Sequence, residues 1–283
     1  MNQYLGNIFF DAKNTTREFA RNRSALIVAN LLLLPWFAAI VSGRNTNPWN
    51  AFGIIFGIMF VYWFFSRRRE MERVRVNRPI IESAIALALV LIWMLFRVGQ
   101  YADVYELPHL VFFSVRDIFE TIVPKMSEMV ILPLAIWLSL RYRPRELGLR
   151  ASWRDWMPAL VPIAALIFFG LQNNKPQEWW ENLVYFYFAA GLPEEFLFRG
   201  LLQTRLEAFL KNPIWGLYLA SFVFGASHLP INLSNASANN WLSAFESAFT
   251  FQLSIGFALG FAFQRARNVL PLTVIHTLIN AAP

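Results

Sequence analysis

Long apolar runs alternate with short polar segments, many of them rich in arginine, along the whole chain. A mostly apolar helix of roughly 20 residues crosses the hydrocarbon core of a bilayer. The runs predict nine spans, near residues 24–41, 49–65, 79–96, 128–140, 156–171, 181–205, 213–229, 243–264 and 269–280. We therefore expect an all-α fold, a polytopic transmembrane helical bundle of about eight to nine spans.

The charges between the runs predict which side of the membrane each segment faces. Arginine and lysine are concentrated at residues 13–23, 67–78, 141–154, 205–211 and 265–267. With nine spans these segments all fall on one side, and an excess of basic residues marks the cytoplasm. The N-terminus is therefore predicted to be cytoplasmic. Residues 97–127 are predicted to be extracytoplasmic, with an interfacial or re-entrant helix near 110–123.

Composition supports the membrane class and excludes several others. Of the 283 residues, 57% are hydrophobic and only 15% are charged, which is typical of a protein embedded in the lipid bilayer. The net charge of +7 is explained by the basic loops, so we expect no nucleic-acid partner. The chain has no cysteine, which excludes disulfides, thiol catalysis and cysteine-ligated metals.

The sixth predicted span contains two adjacent carboxylates and an arginine, in the sequence Gly-Leu-Pro-Glu-Glu-Phe-Leu-Phe-Arg-Gly at 191–200. An ionised group in the bilayer costs several kcal/mol unless it is paired or faces a polar cavity. On a helix Glu195 and Arg199 are spaced i, i+4 and can pair, whereas Glu194 is rotated by about 100°. We therefore expect Glu194 to be free for chemistry.

Polar groups also interrupt the apolar runs near the C-terminus. His228 ends the seventh run, and His276 and Asn280 share one face of the ninth because they are spaced i, i+4. The simplest arrangement places these three residues and Glu194 around one water-filled cavity. Glu82 and Glu246 lie near predicted interfaces, where snorkelling or helix capping explains them, although Glu246 is also a weaker candidate for contact with the site.

This set of side chains is suited to hydrolysing an amide. A desolvated Glu194 can act as general base towards water, with a histidine sharing or orienting that water. The N–H groups of His276 and Asn280 can stabilise a tetrahedral oxyanion. An alternative is a catalytic Zn²⁺ held by Glu194, His228 and His276, although the His-Glu-x-x-His signature of zinc proteases is absent.

Three motifs in this order, Glu194-Glu195-x-x-x-Arg199, Phe224-x-x-x-His228 and His276-x-x-x-Asn280, resemble those of the CPBP family of intramembrane proteases. This family includes the type II CAAX prenyl endopeptidases and the bacteriocin-processing Abi proteins. The resemblance covers about residues 179–280. It implies that Glu194 and His228 activate water, that His276 and Asn280 form the oxyanion site, and that Glu195 and Arg199 support both.

The resemblance divides the chain into N-terminal helices at 1–178, which carry no recognisable motif, and a catalytic core at 179–283. It implies an intramembrane endopeptidase that cleaves a membrane-delivered protein or peptide near its terminus. The alternative from another class is a proton-coupled transporter with Glu194, His228 and His276 as its relay. A third hypothesis is a membrane scaffold without catalysis.

Overall fold

The helical bundle predicted from the apolar runs is confirmed by a computed structural model of the chain. It describes residues 22–41, 49–67, 72, 74–101, 118–173, 176–235 and 241–281, among which there is no β-strand. The helices are α1 (Arg23–Val41), α2 (Trp49–Ser66), α3 (Pro79–Tyr101), α4 (118–139), α5 (Trp153–Asn173), α6 (176–210), α7 (Pro213–Ser227), α8 (Leu229–Asn235), α9 (Trp241–Ala266) and α10 (Leu270–Ala281). A 3₁₀ turn, Pro144–Leu147, lies between α4 and α5.

Six helical segments in the described part of the chain are long and apolar enough to cross a membrane. They are α1, α3, α4, α5, the α7–α8 segment and α9. Apolar stretches of α2 and α10 are shorter, and α6 is not among the six, since its apolar part carries Glu194, Glu195 and Arg199. The protein is therefore an integral, multi-pass membrane protein.

The predicted bounds are wrong in three places. The fourth span was expected at 128–140, but α4 is already helical at Ile118 and includes residues 118–123 of the expected re-entrant helix. Residues 110–117 and His109 lie outside the described residues. Each proline of α4 follows a π-helical turn, where the regular hydrogen-bond ladder is already interrupted.

The other two differences concern segments that we expected to be loops. The helix α6 begins at Pro176 and not near 181. Residues 229–235 form α8 within the expected loop after the seventh span. Both segments are short and mix apolar with polar residues, so neither contains a continuous apolar run by which the sequence could reveal a helix.

Contacts between loops place the predicted basic segments at one end of the bundle. Asn212 Nδ2 donates to Ser24 Oγ at 3.2 Å, which brings the start of α1 to the end of α6. The backbone N–H of Asn77 donates to the Tyr142 hydroxyl at 2.8 Å, and Arg267 Nε donates to the Glu72 carbonyl at 3.2 Å. We call this the basic end, formed by residues 22–24, 72, 74–78, 140–154, 205–213 and 265–269. The contacts support the predicted sidedness, and the cytoplasmic orientation stays a prediction.

A buried ion pair joins α3 and α6 at the basic end. Glu82, which we expected to cap a helix or to snorkel, does cap α3 by accepting the backbone N–H groups of Asn77 and Arg78. It also pairs with the fully buried Arg205, whose Nε lies 3.5 Å from Glu82 Oε2. Burial, together with its hydrogen bond to Glu82, raises the pKa of Tyr142 to about 12, so the phenol stays a donor to that carboxylate.

Small residues allow the helices around α6 to pack closely. A Cβ at Gly256 would lie 2.8 Å from Phe224 Cδ1, and one at Gly260 would lie 2.4 Å from Leu217 Cδ1. Gly216 approaches even more rigid atoms, because a Cβ there would lie 2.5 Å from the backbone nitrogen of Glu207. The contact between α6 and α7 therefore depends on a missing side chain, as in other membrane bundles.

The orientation of the bundle can be tested because the chain has no cysteine to create background labelling. We expect Arg145→Cys, at the basic end, to react with a membrane-impermeant maleimide only after permeabilisation of cells. We expect Ser234→Cys, at the end of α8, to react in intact cells, since α7 leads from one end of the bundle to the other. The reverse labelling would contradict a cytoplasmic basic end.

Gly216→Ala is expected to destabilise the bundle by about 1–3 kcal/mol, because the added methyl group would overlap the backbone of Glu207. The matched control is Gly57→Ala on α2, where a Cβ would meet nothing within 4 Å. Thermal unfolding in detergent should show a lower midpoint for the first variant and an unchanged or higher one for the second. Equal midpoints would contradict the packing argument.

Candidate active site

Glu194 lies between two π-helical segments of α6. It ends the short α-helical stretch Leu192–Glu194, which Tyr187–Gly191 precedes and Glu195–Gln203 follows. The first of these π-helical segments precedes Pro193, which has no N–H to donate to the hydrogen bonds of the helix. π-Helical turns are rare and are found frequently at functional sites.

A glycine brings α10 against this part of α6. A Cβ at Gly191 would lie 2.4 Å from Thr277 Oγ1 and 2.8 Å from the carbonyl oxygen of Thr273. Only a residue without a side chain therefore allows α10 to approach the α6 backbone at this point. The approach places His276 beside the two carboxylates.

The structure brings together Glu194, His228 and His276, which are far apart in the sequence. Glu194 is buried, with 4% of its surface exposed. Its Oε2 lies 3.9 Å from His228 Nε2 and 3.8 Å from His276 Nε2. These distances are too long for direct hydrogen bonds, and Oε2 accepts no hydrogen bond from the described residues.

Both imidazoles are oriented by their other nitrogen. His228 Nδ1 lies 2.8 Å from the carbonyl oxygen of Phe224, which can only accept, so Nδ1 carries the proton. His276 Nδ1 lies 2.9 Å from Glu195 Oε1 and donates to that carboxylate. Each ring therefore presents Nε2 to Glu194 Oε2.

Glu195 and Arg199 form the pair that their spacing predicts. Arg199 Nε lies 3.4 Å from Glu195 Oε2, and both side chains are fully buried. The guanidinium also lies 4.9 Å from the ring centroid of Phe224. Glu195 thus connects Arg199 to His276, and the other nitrogen of His276 faces the neighbouring Glu194.

Phe224 contacts several groups of the cluster. Its carbonyl orients His228, and its ring centroid lies 4.7 Å from that imidazole and 5.9 Å from the ring of His276. Phe224 therefore touches both histidines and Arg199. The signal in the sequence was the i, i+4 spacing, which places it on the face of His228.

The other predicted candidates form no hydrogen bond or ion pair with the described side chains of the cluster. Asn280 lies one turn after His276 on α10 and is half-buried, but its side chain has no hydrogen bond to a described residue. Glu246 is half-buried on α9, and its carbonyl accepts a hydrogen bond from Thr250. No ion pair joins Glu246 to a described side chain of the cluster.

Sequence reasoning missed one residue of the cluster, Lys125. Its ammonium lies 3.0 Å from Glu194 Oε1. We had placed Lys125 in the extracytoplasmic segment, because we expected the fourth span to begin only at 128. The sequence does contain a signal, because Lys125 and Glu128 are the only charged residues in the otherwise uncharged segment 121–140.

The contacts of the cluster give the Zn²⁺ alternative no support. No three His, Asp or Glu side chains in the described ranges are arranged to hold a metal ion. The Lys125 ammonium is bound to Glu194 Oε1, and a divalent cation beside it would be repelled. This contact therefore disfavours a divalent cation at Glu194.

The cluster is accessible from the end opposite the basic end. The side chains of His228 and Lys125 are 22% and 16% exposed, whereas those of Glu194 and His276 are 5% exposed. His228 caps the C-terminus of α7, which begins at the basic end with Asn212. At 1.5 Å per residue, this helix carries His228 roughly 20 Å away from that end.

The chain shares its C-terminal part with a known family. Residues 176–282 match the family model described as type II CAAX prenyl endopeptidase Rce1-like. Comparison with curated proteins and with solved structures gave no significant match. The matched residues extend from α6 to α10 and contain Glu194, His228, His276 and Asn280, whereas Lys125 lies outside them. Residues 176–282 are therefore similar to the Rce1-like type II CAAX prenyl endopeptidases, in agreement with the resemblance of the sequence motifs.

Proposed function

We propose that the protein is an intramembrane endopeptidase that hydrolyses a peptide bond near the terminus of a membrane-associated protein or peptide. The observation that carries the proposal is the convergence of Glu194 Oε2 with the Nε2 atoms of His228 and His276, at 3.8–3.9 Å. The family of residues 176–282 supports the same class of reaction.

The proposed nucleophile is water held between these three atoms. At these separations a water oxygen between them lies within hydrogen-bonding distance of Glu194 Oε2 and His228 Nε2, and it donates one proton to each. Glu194 or His228 removes one proton as the water oxygen attacks the scissile carbonyl carbon. General base catalysis of this kind contributes a factor of about 10²–10⁴ in rate.

The oxyanion that forms needs donors on the other side of the carbonyl. His276, whose Nδ1 lies 2.9 Å from Glu195 Oε1, supplies an Nε2–H donor when its ring carries two protons. Asn280 supplies a second donor if its carboxamide turns towards the substrate. The proton taken from water then passes to the leaving nitrogen as the C–N bond breaks, which yields a carboxylic acid and an amine.

The transporter alternative is weakened by the neighbours of the cluster. A proton relay across the membrane needs titratable groups that continue towards both sides. Towards the basic end, Glu195 is followed by Arg199, which is fully buried and keeps its proton. This order of groups favours chemistry at a dead-end cavity over proton conduction.

The accessible end of the cluster suggests how the substrate arrives. With a cytoplasmic basic end, the cluster opens to the extracytoplasmic half of the bilayer or sideways to lipid. A secreted or C-terminally anchored precursor fits this opening better than a prenylated cytosolic protein. A protein with a prenylated C-terminus is the second substrate to test, because the matched family is described as prenyl endopeptidases.

Glu194→Gln is expected to lower kcat for peptide cleavage at least 100-fold, because the amide cannot accept a proton from water. Suitable probes in detergent or liposomes are a quenched-fluorescent farnesylated peptide ending in Cys-aliphatic-aliphatic-X and a membrane-anchored, unprenylated one. The control is Glu181→Gln, which changes an exposed carboxylate on the same helix. Full activity of Glu194→Gln would refute the mechanism, and loss of proton flux in liposomes without any cleavage would support a transporter.

Removal of metal is expected to leave the reaction intact. We expect EDTA treatment followed by gel filtration to change kcat by less than about twofold, and elemental analysis to find zinc well below one atom per chain. The physical reason is the ammonium at Glu194 Oε1, which competes with any divalent cation. Activity that is lost with the chelator and restored by Zn²⁺ would contradict this mechanism.

A further inference from the structure

Lys125 reaches the cluster from outside the matched family segment. It lies on α4, and its ammonium donates to Glu194 Oε1 at 3.0 Å. The pair is largely shielded, with 16% of the lysine side chain and 5% of the glutamate side chain exposed. A shielded carboxylate needs such a partner, because an unpaired ionised group in this environment costs several kcal/mol.

The contact makes the two oxygens of Glu194 different. Oε1 is bound by Lys125, whereas Oε2 faces the two imidazoles and has no hydrogen bond among the described residues. A carboxylate held by one oxygen cannot rotate freely about its last torsion angle without loss of that bond. The lysine thereby determines which oxygen is presented to the water.

The position of Lys125 is fixed by the packing of α4 on α6. Residues Val123–Met126, which contain the lysine, pack against Tyr187–Gly191. The π-helical turn Ser127–Ile131 packs against Leu192–Glu194 and Glu195–Gln203. The Lys125 ammonium also lies 5.9 Å from the ring centroid of Trp93 on α3.

The charged groups around Glu194 come from four helices. Lys125 lies on α4, His228 ends α7, and His276 lies on α10. On α6 itself, Glu195 stands between Glu194 and Arg199 and pairs with that arginine. Lys125 is therefore the cation in direct contact with Glu194, whereas the imidazole Nε2 atoms lie 3.8–3.9 Å from Glu194 Oε2.

We propose that Lys125 is a positioning residue for the hydrolysis, which holds Glu194 by Oε1 in the ionised form so that Oε2 can act as the base. This inference rests on the proposed function. It assigns to the N-terminal helices a part in the site that the family match does not contain.

The test is the pH dependence of cleavage by Lys125→Met, with the two peptide probes named above. We expect kcat near pH 7 to fall at least tenfold, with KM within about twofold. We also expect the acidic limb of the kcat profile to move to higher pH by about one unit or more, because the base loses the cation in contact with it. Lys125→Arg should restore most of kcat and the original limb.

The matched control is Lys211→Met, which removes an exposed lysine at the basic end. Thermal unfolding of wild type, Lys125→Met, Glu194→Gln and the double variant measures the pair separately from activity. We expect the effects of the single variants on the midpoint to be non-additive, since each removes the same contact. If Lys125→Met does not fold, Lys125→Gln and Lys125→Arg provide the same measurements.

Several outcomes would overturn the inference. One is an unchanged kcat and pH profile for Lys125→Met. Another is a rise in KM alone for this variant, which would make Lys125 a substrate-binding residue. Additive midpoints would overturn it as well. If Glu194→Gln is inactive while Lys125→Met behaves as wild type, only this inference fails. If Glu194→Gln remains active, the proposed function itself fails.

Discussion

The site depends on the cost of keeping two neighbouring carboxylates ionised inside an apolar bundle. Successive helical residues point in different directions, so each carboxylate has its own cation, and only His276 lies near both among the described residues. Glu195 is matched by Arg199 and His276, and Glu194 by Lys125, with both imidazoles within 4 Å. Four helices have to meet at one place to supply these groups. The close approach at Gly191 and the π-helical turns of α4 and α6 are the local features that bring them together.

The polar network at the basic end complements this site. The ion pair of Glu82 with Arg205 and the contacts of Glu72, Asn77 and Arg267 join loops that are far apart in the sequence. Hydrogen bonds of this kind fix where the helices begin. The helices extend from this end towards the site. There the side chains are positioned by helix packing, by close contacts at glycines and by the attraction between their charges.

Much of this arrangement could be predicted from the sequence because it is periodic or chemically unusual. Apolar runs indicated the spans, and i, i+4 spacing indicated the pairing of Glu195 with Arg199. The partner of Glu194 on α4 could not be predicted, since Lys125 lies in a segment of mixed charge and its helix begins earlier than the apolar run. The π-helical turns have no sequence period of their own. The position of Asn280 depends on side-chain packing, which spacing alone does not determine.

The charges that meet at the site have a consequence for what can enter it. Lys125 is paired with Glu194 and Arg199 with Glu195, so the site combines two acidic and two basic side chains that are matched in charge. A charge-matched site in a medium of low dielectric constant gives no counter-ion to an incoming charge. With the proposed function, peptides with uncharged side chains on both sides of the scissile bond should therefore enter most readily. Selectivity would then arise from the cost of removing water from charged peptide side chains.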